Sequence, residues 1–262
     1  MNKMLLLLIL LAAFSRPSFA LTELKCAYQD SDNFPYQLGD STTINRQHPG
    51  IAVEMVLMLE QKLPVKVSLL RLPWRRAEKR LKKGLIDCLF NASYKTVRLL
   101  NGAYPMLDGE VDVSKRSYYN AYSLFSQKNS QLQWDGNALI NNSRKPIGVQ
   151  RGFSIRADLV KQRVNVYEAA TVKQLMQLLQ KNRLSGVATF EVVGDAFLRK
   201  FADQYPNIVK LQPAFKSKAY FLMLSHQFVR ANPELAKDIW RSIGEIRESD
   251  EFREILDKYV EE

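Results

Sequence analysis

Short apolar segments alternate with amphipathic ones in two separate stretches of this chain, and this alternation narrows the possible folds more than any other feature. In the first stretch, runs typical of strands alternate with segments of helical periodicity, at 24–28, 51–62, 65–70, 75–83 and 86–90. The same order returns at 146–150, 154–161, 164–167, 171–181 and 186–190. Strands that alternate with helices form parallel sheets, so the sequence predicts two α/β units.

The segments outside these two units indicate how the chain connects them. Residues 106–119 form a polar connector between the units. After the second unit, the pattern predicts a strand at 220–224 and helices at 232–247 and 250–259. We expect this C-terminal part to return to the first unit.

Together these predictions describe an α/β protein with two lobes. One lobe would comprise residues 21–115 and 216–262, and the other residues 116–215. The chain would cross between the lobes near 106–120 and 212–220, where a hinge is expected. A small molecule would bind in the cleft between the lobes, at the carboxyl ends of the strands.

The N-terminus has the parts of a secretory signal peptide. Lys3 supplies a positive charge, Met4 to Phe14 form an almost unbroken apolar run, and Ser18 and Ala20 place small residues at a cleavage site. The apolar run is shorter than the roughly 20 residues that cross a bilayer, which favours a cleaved signal over an anchor. We therefore expect residues 1–20 to be removed and the mature protein to be soluble outside the cytoplasm.

Composition argues against several other classes of function. Removing the signal takes away Lys3 and Arg16 and no acidic residue, which lowers the formal charge from +11 to +9. The basic residues are dispersed along the chain, so we expect no nucleic-acid partner. Two cysteines and two histidines show no metal-ligand spacing and offer little material for a nucleophilic site. Without a P-loop or a Gly-x-Gly-x-x-Gly turn, we expect no cofactor.

A series of short motifs follows the order found in a known family. They are Phe34-Pro35-Tyr36, Pro49 to Glu54, Leu72 to Ala77, Leu81 to Cys88, Ser93 with Arg98 before Gly102 to Pro105, Ile147 to Ser154, and Phe252 to Tyr259. Their joint order resembles the periplasmic solute-binding proteins of the polar amino-acid type, bacterial solute-binding protein family 3, over nearly all of residues 21–262. The resemblance implies a type II two-lobe periplasmic-binding-protein fold with the ligand cleft between the lobes.

The resemblance implies a binding protein and not an enzyme. A monomer would capture a small polar solute, above all an amino acid, and deliver it to an ABC importer. Two alternatives stay open, because similar lobes also present ligands to membrane sensors and similar periplasmic cyclohexadienyl dehydratases are enzymes. A dehydratase would need a general acid over the substrate ring, for which Glu191 and Asp30 are the candidates.

The resemblance also implies the positions of the ligand-binding residues. A carboxylate that loses its water needs a fixed fork of donors, and the family holds it with the arginine that matches Arg98, helped by the residue that matches Ser93. Without this context, Arg98 would be a surface arginine that starts a helix. The other expected ligand contacts are Trp74, Phe34, Tyr36, Asn91, Gly152, Phe153 and Ser154, of which Ser154 is equally suited to cap the following helix.

The partner of a ligand ammonium is where the resemblance weakens. Phe190 stands where amino-acid binders commonly have aspartate, and Glu191 follows one residue later. Neighbouring residues of a strand face opposite sides, so Glu191 would need a local shift to reach the ligand. Either Glu191 replaces the aspartate in this way or the ligand is not a simple α-amino acid, and Asp30 and Glu54 are further candidate anions.

Cys26 and Cys88 fall on strands that should be neighbours. An oxidising compartment permits a disulfide between them, and two buried free thiols account for the same placement. Adjacent parallel strands do not by themselves supply disulfide geometry, so both possibilities stay open.

Overall fold

The structure is a computed structural model that describes residues 21–39 and 41–260. The predicted signal peptide, residues 1–20, lies outside the described residues. Within the described ranges, no helix is both long enough and apolar enough to cross a membrane.

Strands and helices alternate along the chain much as the sequence predicts. The strands are β1 (Thr22–Gln29), β2 (Val65–Leu72), β3 (Cys88–Ser93), β4 (Met106–Leu107), β5 (Glu110–Val111), β6 (Tyr118–Gln127), β7 (Leu132–Trp134), β8 (Leu139–Asn141), β9 (Ile147–Gln150), β10 (Val166–Ala169), β11 (Gly186–Phe190), β12 (Ile208–Lys210) and β13 (Lys216–Leu224). The α-helices are α1 (Ile51–Leu57), α2 (Leu59–Lys62), α3 (Trp74–Lys82), α4 (Ile155–Lys161), α5 (Val172–Gln180), α6 (Glu191–Lys200), α7 (His226–Ala231), α8 (Pro233–Arg247) and α9 (Asp250–Val260). Short 3₁₀ helices lie at Thr96–Leu100, Val113–Lys115 and Ala202–Gln204.

One mixed sheet runs through the molecule in the order β10-β9-β11-β6-β13-β3-β1-β2, and β12 also pairs with β6. The strands at each end are parallel, with β2, β1 and β3 at one end and β10, β9 and β11 at the other. The long strands β6 and β13 are antiparallel to their neighbours and join the two parallel groups. The predicted α/β class with two lobes is confirmed, while the residue boundaries of the lobes stay a prediction.

The sequence of α3 shows how a helix covers the sheet and positions a functional side chain. Trp74, Ala77 and Leu81 are spaced three or four residues apart and are buried on one face of the helix. The helix begins directly after Pro73 and ends just before Gly84, whose positive φ of 67° suits the residue after a helix. Because Trp74 is the first residue of α3, its indole lies next to the carboxyl end of β2.

Some elements differ from the sequence prediction. The helix predicted at 51–62 is divided into α1 and α2 at Met58, which nevertheless keeps helical backbone angles. The connector predicted at 106–119 contains the β4–β5 hairpin and the start of β6. Helix α6 has no counterpart in the prediction because Gly194 weakens its helical pattern. A Cβ at Gly194 would lie 2.1 Å from Phe125 Cζ, so glycine allows that ring to pack against the helix.

A disulfide bond joins Cys26 and Cys88, which are register partners on the parallel strands β1 and β3. Their Cα atoms lie 4.5 Å apart, and both residues are fully buried. The bond links segments 62 residues apart in the sequence. Of the two possibilities left open by the sequence, the structure contains the bonded pair, which crosslinks the centre of the first parallel group.

The C-terminal helix α9 packs against α1, and Tyr259 connects the two. The buried Tyr259 hydroxyl accepts a hydrogen bond from the Gly50 amide at 2.9 Å and donates one to Glu54 Oε1 at 2.7 Å. Glu54 lies in the first turn of α1, where the helix dipole favours a negative charge. Glu54 therefore has a structural partner and does not line the cleft described below.

Tyr259→Phe removes both hydrogen bonds and keeps the ring. We expect the free energy of unfolding to fall by about 1–3 kcal/mol, because the buried Gly50 amide loses its acceptor. Equilibrium urea unfolding measures the change. Tyr167→Phe, at an exposed tyrosine, is the matched control and should stay within about 0.5 kcal/mol of wild type. Equal stability of both variants would contradict the role assigned to Tyr259.

Candidate functional site

A small cavity lies between the two lobes, at the carboxyl ends of the parallel strands. Its volume is about 30 Å³, which holds about one or two water molecules. It is lined by Gln29, Asn33, Gln37, Trp74, Asn91, Ser93, Arg98, Tyr122, Gly152, Phe153, Ser154, Phe190 and Tyr220. The first lobe contributes most of the amides and the arginine, whereas the second lobe and the crossing strands β6 and β13 contribute most of the rings.

Arg98 belongs to the 3₁₀ helix that follows β3 and is only 7% exposed, so it is not a surface arginine. Its Nε donates to Glu78 Oε1 at 3.0 Å, and its Nη1 donates to the carbonyl oxygen (2.8 Å) and the hydroxyl (3.0 Å) of Ser93. Its Nη2 reaches the carbonyl oxygen of Gly152 at 3.4 Å, a long hydrogen bond. The guanidinium is therefore held in place by the first lobe and keeps donor capacity for a carboxylate in the cleft.

The indole ring of Trp74 forms an apolar wall beside this guanidinium. The Arg98 Cζ atom lies 4.9 Å from the ring centroid, within cation–π range. Gly152 covers the ring from the other lobe, and a Cβ there would lie 3.0 Å from Trp74 Cδ1. Gly152 also has a φ of 84°, which side-chain-bearing residues rarely adopt. The buried Trp74 Nε1 has no hydrogen-bond partner in the described part of the chain.

Asn91 joins the first lobe to a crossing strand. Its φ of 61° lies in the left-handed region, and β13 shifts register opposite it, between Phe221 and Met223. Such an irregularity redirects a side chain out of the regular pleat, and asparagine tolerates it better than most residues. Asn91 Nδ2 donates to Gln37 Oε1 at 2.7 Å, and Asn91 Oδ1 accepts from the Tyr118 hydroxyl at 2.6 Å.

The loop from Gly152 to Ser154 forms the wall of the second lobe. Ser154 Oγ accepts a hydrogen bond from Lys218 Nζ at 3.1 Å, and Lys218 also pairs with Asp158 of α4. The Ser154 side chain makes no capping hydrogen bond to α4 among the described residues, so its hydroxyl lies at the cavity without serving the helix. The neighbouring Phe153 contributes an aromatic ring to the same wall.

Tyr122 of β6 and Tyr220 of β13 form the floor of the cavity together with Phe190. The two hydroxyls share a hydrogen bond of 2.7 Å, and the Phe190 centroid lies 4.6 Å from that of Tyr122 and 5.4 Å from that of Tyr220. Burial raises the pKa of Tyr122 to about 12 and that of Tyr220 well above its ordinary value. Both phenols are therefore neutral at physiological pH and offer uncharged hydrogen-bonding groups.

The lobes are in contact across the cleft. Besides the hydrogen bond from Arg98 to Gly152, Arg75 Nη2 lies 3.9 Å from Glu168 Oε2 in the second lobe. A solute of amino-acid size needs a site several times larger than 30 Å³. With the lobes in this arrangement, the cavity is therefore too small to hold such a solute.

The sequence profile of the bacterial extracellular solute-binding proteins, family 3, matches residues 25–262. The chain belongs to this family. The match spans both lobes and every cavity residue described above. A comparison with curated proteins finds no match.

Solved structures with the same fold include binding, sensing and enzyme-related proteins. An ancestral arginine-binding protein bound to arginine has a TM-score of 0.69 at 16% identity, with 92% of this chain and 99% of that chain covered. A histidine kinase sensor domain with similarity to periplasmic binding proteins has a TM-score of 0.70 at 14% identity, covering 92% and 96%. The ancestral amino acid-binding protein AncCDT-1, a precursor of cyclohexadienyl dehydratase, has a TM-score of 0.66 at 14% identity, covering 90% and 95%.

Glu191 does not reach the cavity of the family 3 protein. Strand β11 ends at Phe190, and Glu191 begins α6, where its Oε2 accepts a hydrogen bond from Ser123 at 2.6 Å and its Oε1 lies 3.2 Å from Lys210 Nζ. The Ser123 hydrogen bond above all, and then Lys210, lowers the pKa of Glu191. The start of a helix and a lysine hold this carboxylate outside the cavity lining, and the contact between Glu191 and the ligand stays a prediction.

Phe34 and Tyr36 lie behind the cavity wall. Tyr36 stacks on Tyr118 with ring centroids 4.6 Å apart, and Phe34 packs against the hydrophobic core. Neither residue lines the cavity in this structure, and the ligand contacts expected for these two rings stay predictions. They support the wall instead, since Tyr36 fixes the ring whose hydroxyl bonds to Asn91.

Several cavity residues were not predicted to contact the ligand: Gln29, Asn33, Gln37, Tyr122, Phe190 and Tyr220. The first three lie at the end of β1 or in the loop after it, where the rule that ligands bind at strand ends would have found them. Tyr122 and Tyr220 lie within the crossing strands and carry no sequence signal. Only the antiparallel pairing of β6 and β13 brings these two residues to the cleft.

A larger groove of about 400 Å³ lies on the second lobe, between β10 and α5. Arg151, Tyr167, Lys181 and Arg183 line it and are exposed. Its carboxylate, Glu168, already pairs with Arg156 at 2.9 Å. Among the described residues, no buried polar side-chain atom lacking a partner belongs to this groove. The smaller inter-lobe cavity, with its buried arginine, is the better candidate for a binding site.

Proposed function

We propose that this family 3 protein captures a small solute bearing a carboxylate, outside the cytoplasm, and delivers it to an ABC importer. The observation that carries the proposal is the buried guanidinium of Arg98, which Glu78 and Ser93 orient at the contact between the lobes. A guanidinium held in this way matches the planar geometry of a carboxylate. Trp74 and Phe153 supply apolar surface for the body of the solute.

A membrane partner recognises the closed form of the two lobes. Separation about β6 and β13 opens the cleft, and a solute that contacts both walls favours the closed form. Arg98 from one lobe and the Gly152 loop from the other already meet in the closed form. A carboxylate held by Arg98 would add contacts to the same two walls, so binding and closure are coupled.

A thermal-shift screen of the purified protein tests the binding proposal. The panel contains amino acids, hydroxy acids and other small carboxylates, with polyamines and neutral sugars as the matched controls without a carboxylate. We expect at least one carboxylate to raise the melting temperature, by the equivalent of about 2.7 kcal/mol at a hundredfold excess over Kd. Stabilisation by polyamines or sugars alone would contradict the proposal.

Uptake measurements separate the importer from the sensor and enzyme alternatives. Cells lacking the gene should lose uptake of the radiolabelled carboxylate found in the screen. Normal uptake together with loss of a transcriptional response would favour the sensor. Turnover of prephenate or arogenate by the purified protein would favour the dehydratase, for which Glu191 is poorly suited because it is ionised and already paired.

Trp74→Phe keeps most of the aromatic wall and removes the buried N–H. We expect the Kd for the screened carboxylate to rise about tenfold, the loss typical of one hydrogen bond. Isothermal titration calorimetry measures the change. Trp240→Phe is the matched control, because Trp240 Nε1 donates to the Leu222 carbonyl oxygen outside the cavity and its loss should leave Kd unchanged. Equal Kd values for the two variants would show that the Trp74 N–H does not bind the solute.

A further inference from the structure

The cleft has one charged side chain in its lining, and that side chain is positive. Among the described residues, Arg98 lines the cavity and no aspartate or glutamate does. The carboxylates that approach it are already committed, since Glu78 pairs with Arg98 at 3.0 Å and Asp158 pairs with Lys218. An ammonium group enclosed here would lack a carboxylate partner, which is costly for a charge removed from water.

Two further lysines increase the positive potential around the cleft. Lys218 Nζ lies 3.1 Å from Ser154 Oγ in the cavity wall and 5.7 Å from the centroid of the Tyr122 ring. Burial, followed by the charges of Arg98 and Lys218, lowers the pKa of Lys95 to about 8. Arg98, Lys95 and Lys218 are three cations beside the two carboxylates of Glu78 and Asp158, and this excess of positive charge favours an anionic solute and opposes a second positive charge.

Two buried polar atoms of the lining lack hydrogen-bond partners within residues 21–39 and 41–260. One is a donor, Trp74 Nε1, and the other is an acceptor, Asn33 Oδ1. Buried polar groups are normally paired, and because Trp74 and Asn33 both line the cavity, a solute in the cleft can supply the two missing partners. A hydroxyl can donate and accept, whereas an ammonium can only donate and brings a charge.

The floor of the cleft completes this neutral environment. Phe190 is 4% exposed and packs against the rings of Phe153 and Tyr122, with centroids 5.1 Å and 4.6 Å away. The remaining polar side chains of the lining, apart from Arg98, are amides, hydroxyls and the Trp74 indole, all of them uncharged.

We infer that the solute is a carboxylate without an ammonium group, with a neutral hydrogen-bonding group such as a hydroxyl and an apolar body. This inference rests on the proposed function, because it concerns the ligand of the same cleft. The carboxylate meets Arg98, the neutral group meets Trp74 and Asn33, and the apolar body lies against Phe153 and Phe190.

Matched pairs of α-hydroxy and α-amino acids test the inference. The pairs are L-3-phenyllactate with L-phenylalanine, L-2-hydroxy-4-methylpentanoate with L-leucine, and L-malate with L-aspartate. The members of each pair differ at the group on the α carbon and keep the carboxylate and side chain. By calorimetric titration, we expect the hydroxy acid of the pair that fits to bind about 100-fold or more tightly than its amino acid.

Each outcome bears on a different claim. An amino acid that binds as tightly as its hydroxy counterpart overturns the inference and leaves the proposed function intact. In another outcome, a different carboxylate from the thermal-shift panel is the one that binds. A compound without an ammonium group then supports the inference, and a compound with an ammonium group overturns it. If no carboxylate of either set binds, the proposed function and the inference fail together.

Phe190→Asp places a carboxylate on the floor of the cleft and should reverse the preference. We expect the variant to bind the amino acid of the pair at least as tightly as the hydroxy acid. Phe190→Asn, of nearly the same size but uncharged, is the matched control and should keep the preference for the hydroxy acid. If both variants prefer the amino acid, the added charge is not the cause and the inference is overturned. The inference is also overturned if both variants keep a wild-type melting profile and both still prefer the hydroxy acid.

Discussion

Arg98→Ala is expected to weaken binding of the screened carboxylate by about 100-fold to 1000-fold, the usual loss when one partner of a buried charge pair is truncated. The guanidinium is only 7% exposed and is oriented by Ser93 and Glu78, so no mobile side chain nearby replaces its fork of donors. Isothermal titration calorimetry at constant pH and ionic strength measures the ratio of the Kd values.

Two companion variants separate binding from folding. Arg98→Lys keeps a positive charge beside Glu78 but loses the planar fork, so we expect it to fold normally and bind about tenfold or more weakly. Arg98→Ala combined with Glu78→Ala removes the carboxylate that the single variant leaves unpaired, and should recover stability without recovering binding. Wild-type affinity in a well-folded Arg98→Ala variant would contradict the assignment of the carboxylate site.

Replacing both cysteines, Cys26→Ala with Cys88→Ala, is expected to lower the free energy of unfolding by about 4 kcal/mol. The disulfide closes a loop of 62 residues, and the unfolded chain regains the corresponding freedom when the crosslink is lost. Cys26 in β1 and Cys88 in β3 are both fully buried, so loss of packing adds to the effect.

Urea unfolding with and without a reductant checks this expectation. Dithiothreitol should lower the stability of the wild type toward that of the double variant and leave the double variant unchanged. The Kd for the carboxylate, measured well below the unfolding midpoint, should stay within a few-fold of wild type, because neither cysteine lines the cleft. Equal stability of oxidised and reduced wild-type protein would show that the bond does not constrain the chain.

The sequence predicts the elements that depend on local pattern. The alternation of strands and helices gives the two parallel groups, and the position of Trp74 after Pro73 places its ring at a strand end in the cleft. Arg98 and Ser93 were expected together from the family resemblance, and the structure places the Arg98 Nη1 atom 3.0 Å from the Ser93 hydroxyl. Gly152 and Ser154 lie in the short loop between β9 and α4, and this loop places them at the cleft.

The features of the site that the sequence does not predict depend on long-range contacts. Whether a residue at the end of β11 faces the cleft depends on where the strand stops, and it stops at Phe190, so that Glu191 turns away toward Ser123 and Lys210. Tyr36 is withdrawn from the cleft by stacking on Tyr118, a residue of a distant strand. The floor residues Tyr122 and Tyr220 meet only because β6 and β13 pair.

The most direct test of the central claim is a crystal structure of the protein with the carboxylate found in the screen. We predict that the solute lies between the lobes, with its carboxylate about 3 Å from the Nη atoms of Arg98 and its body against Trp74 and Phe190. A solute bound elsewhere, for example in the larger groove lined by Arg151 and Lys181, with the inter-lobe cavity still closed around Arg98, would contradict the claim.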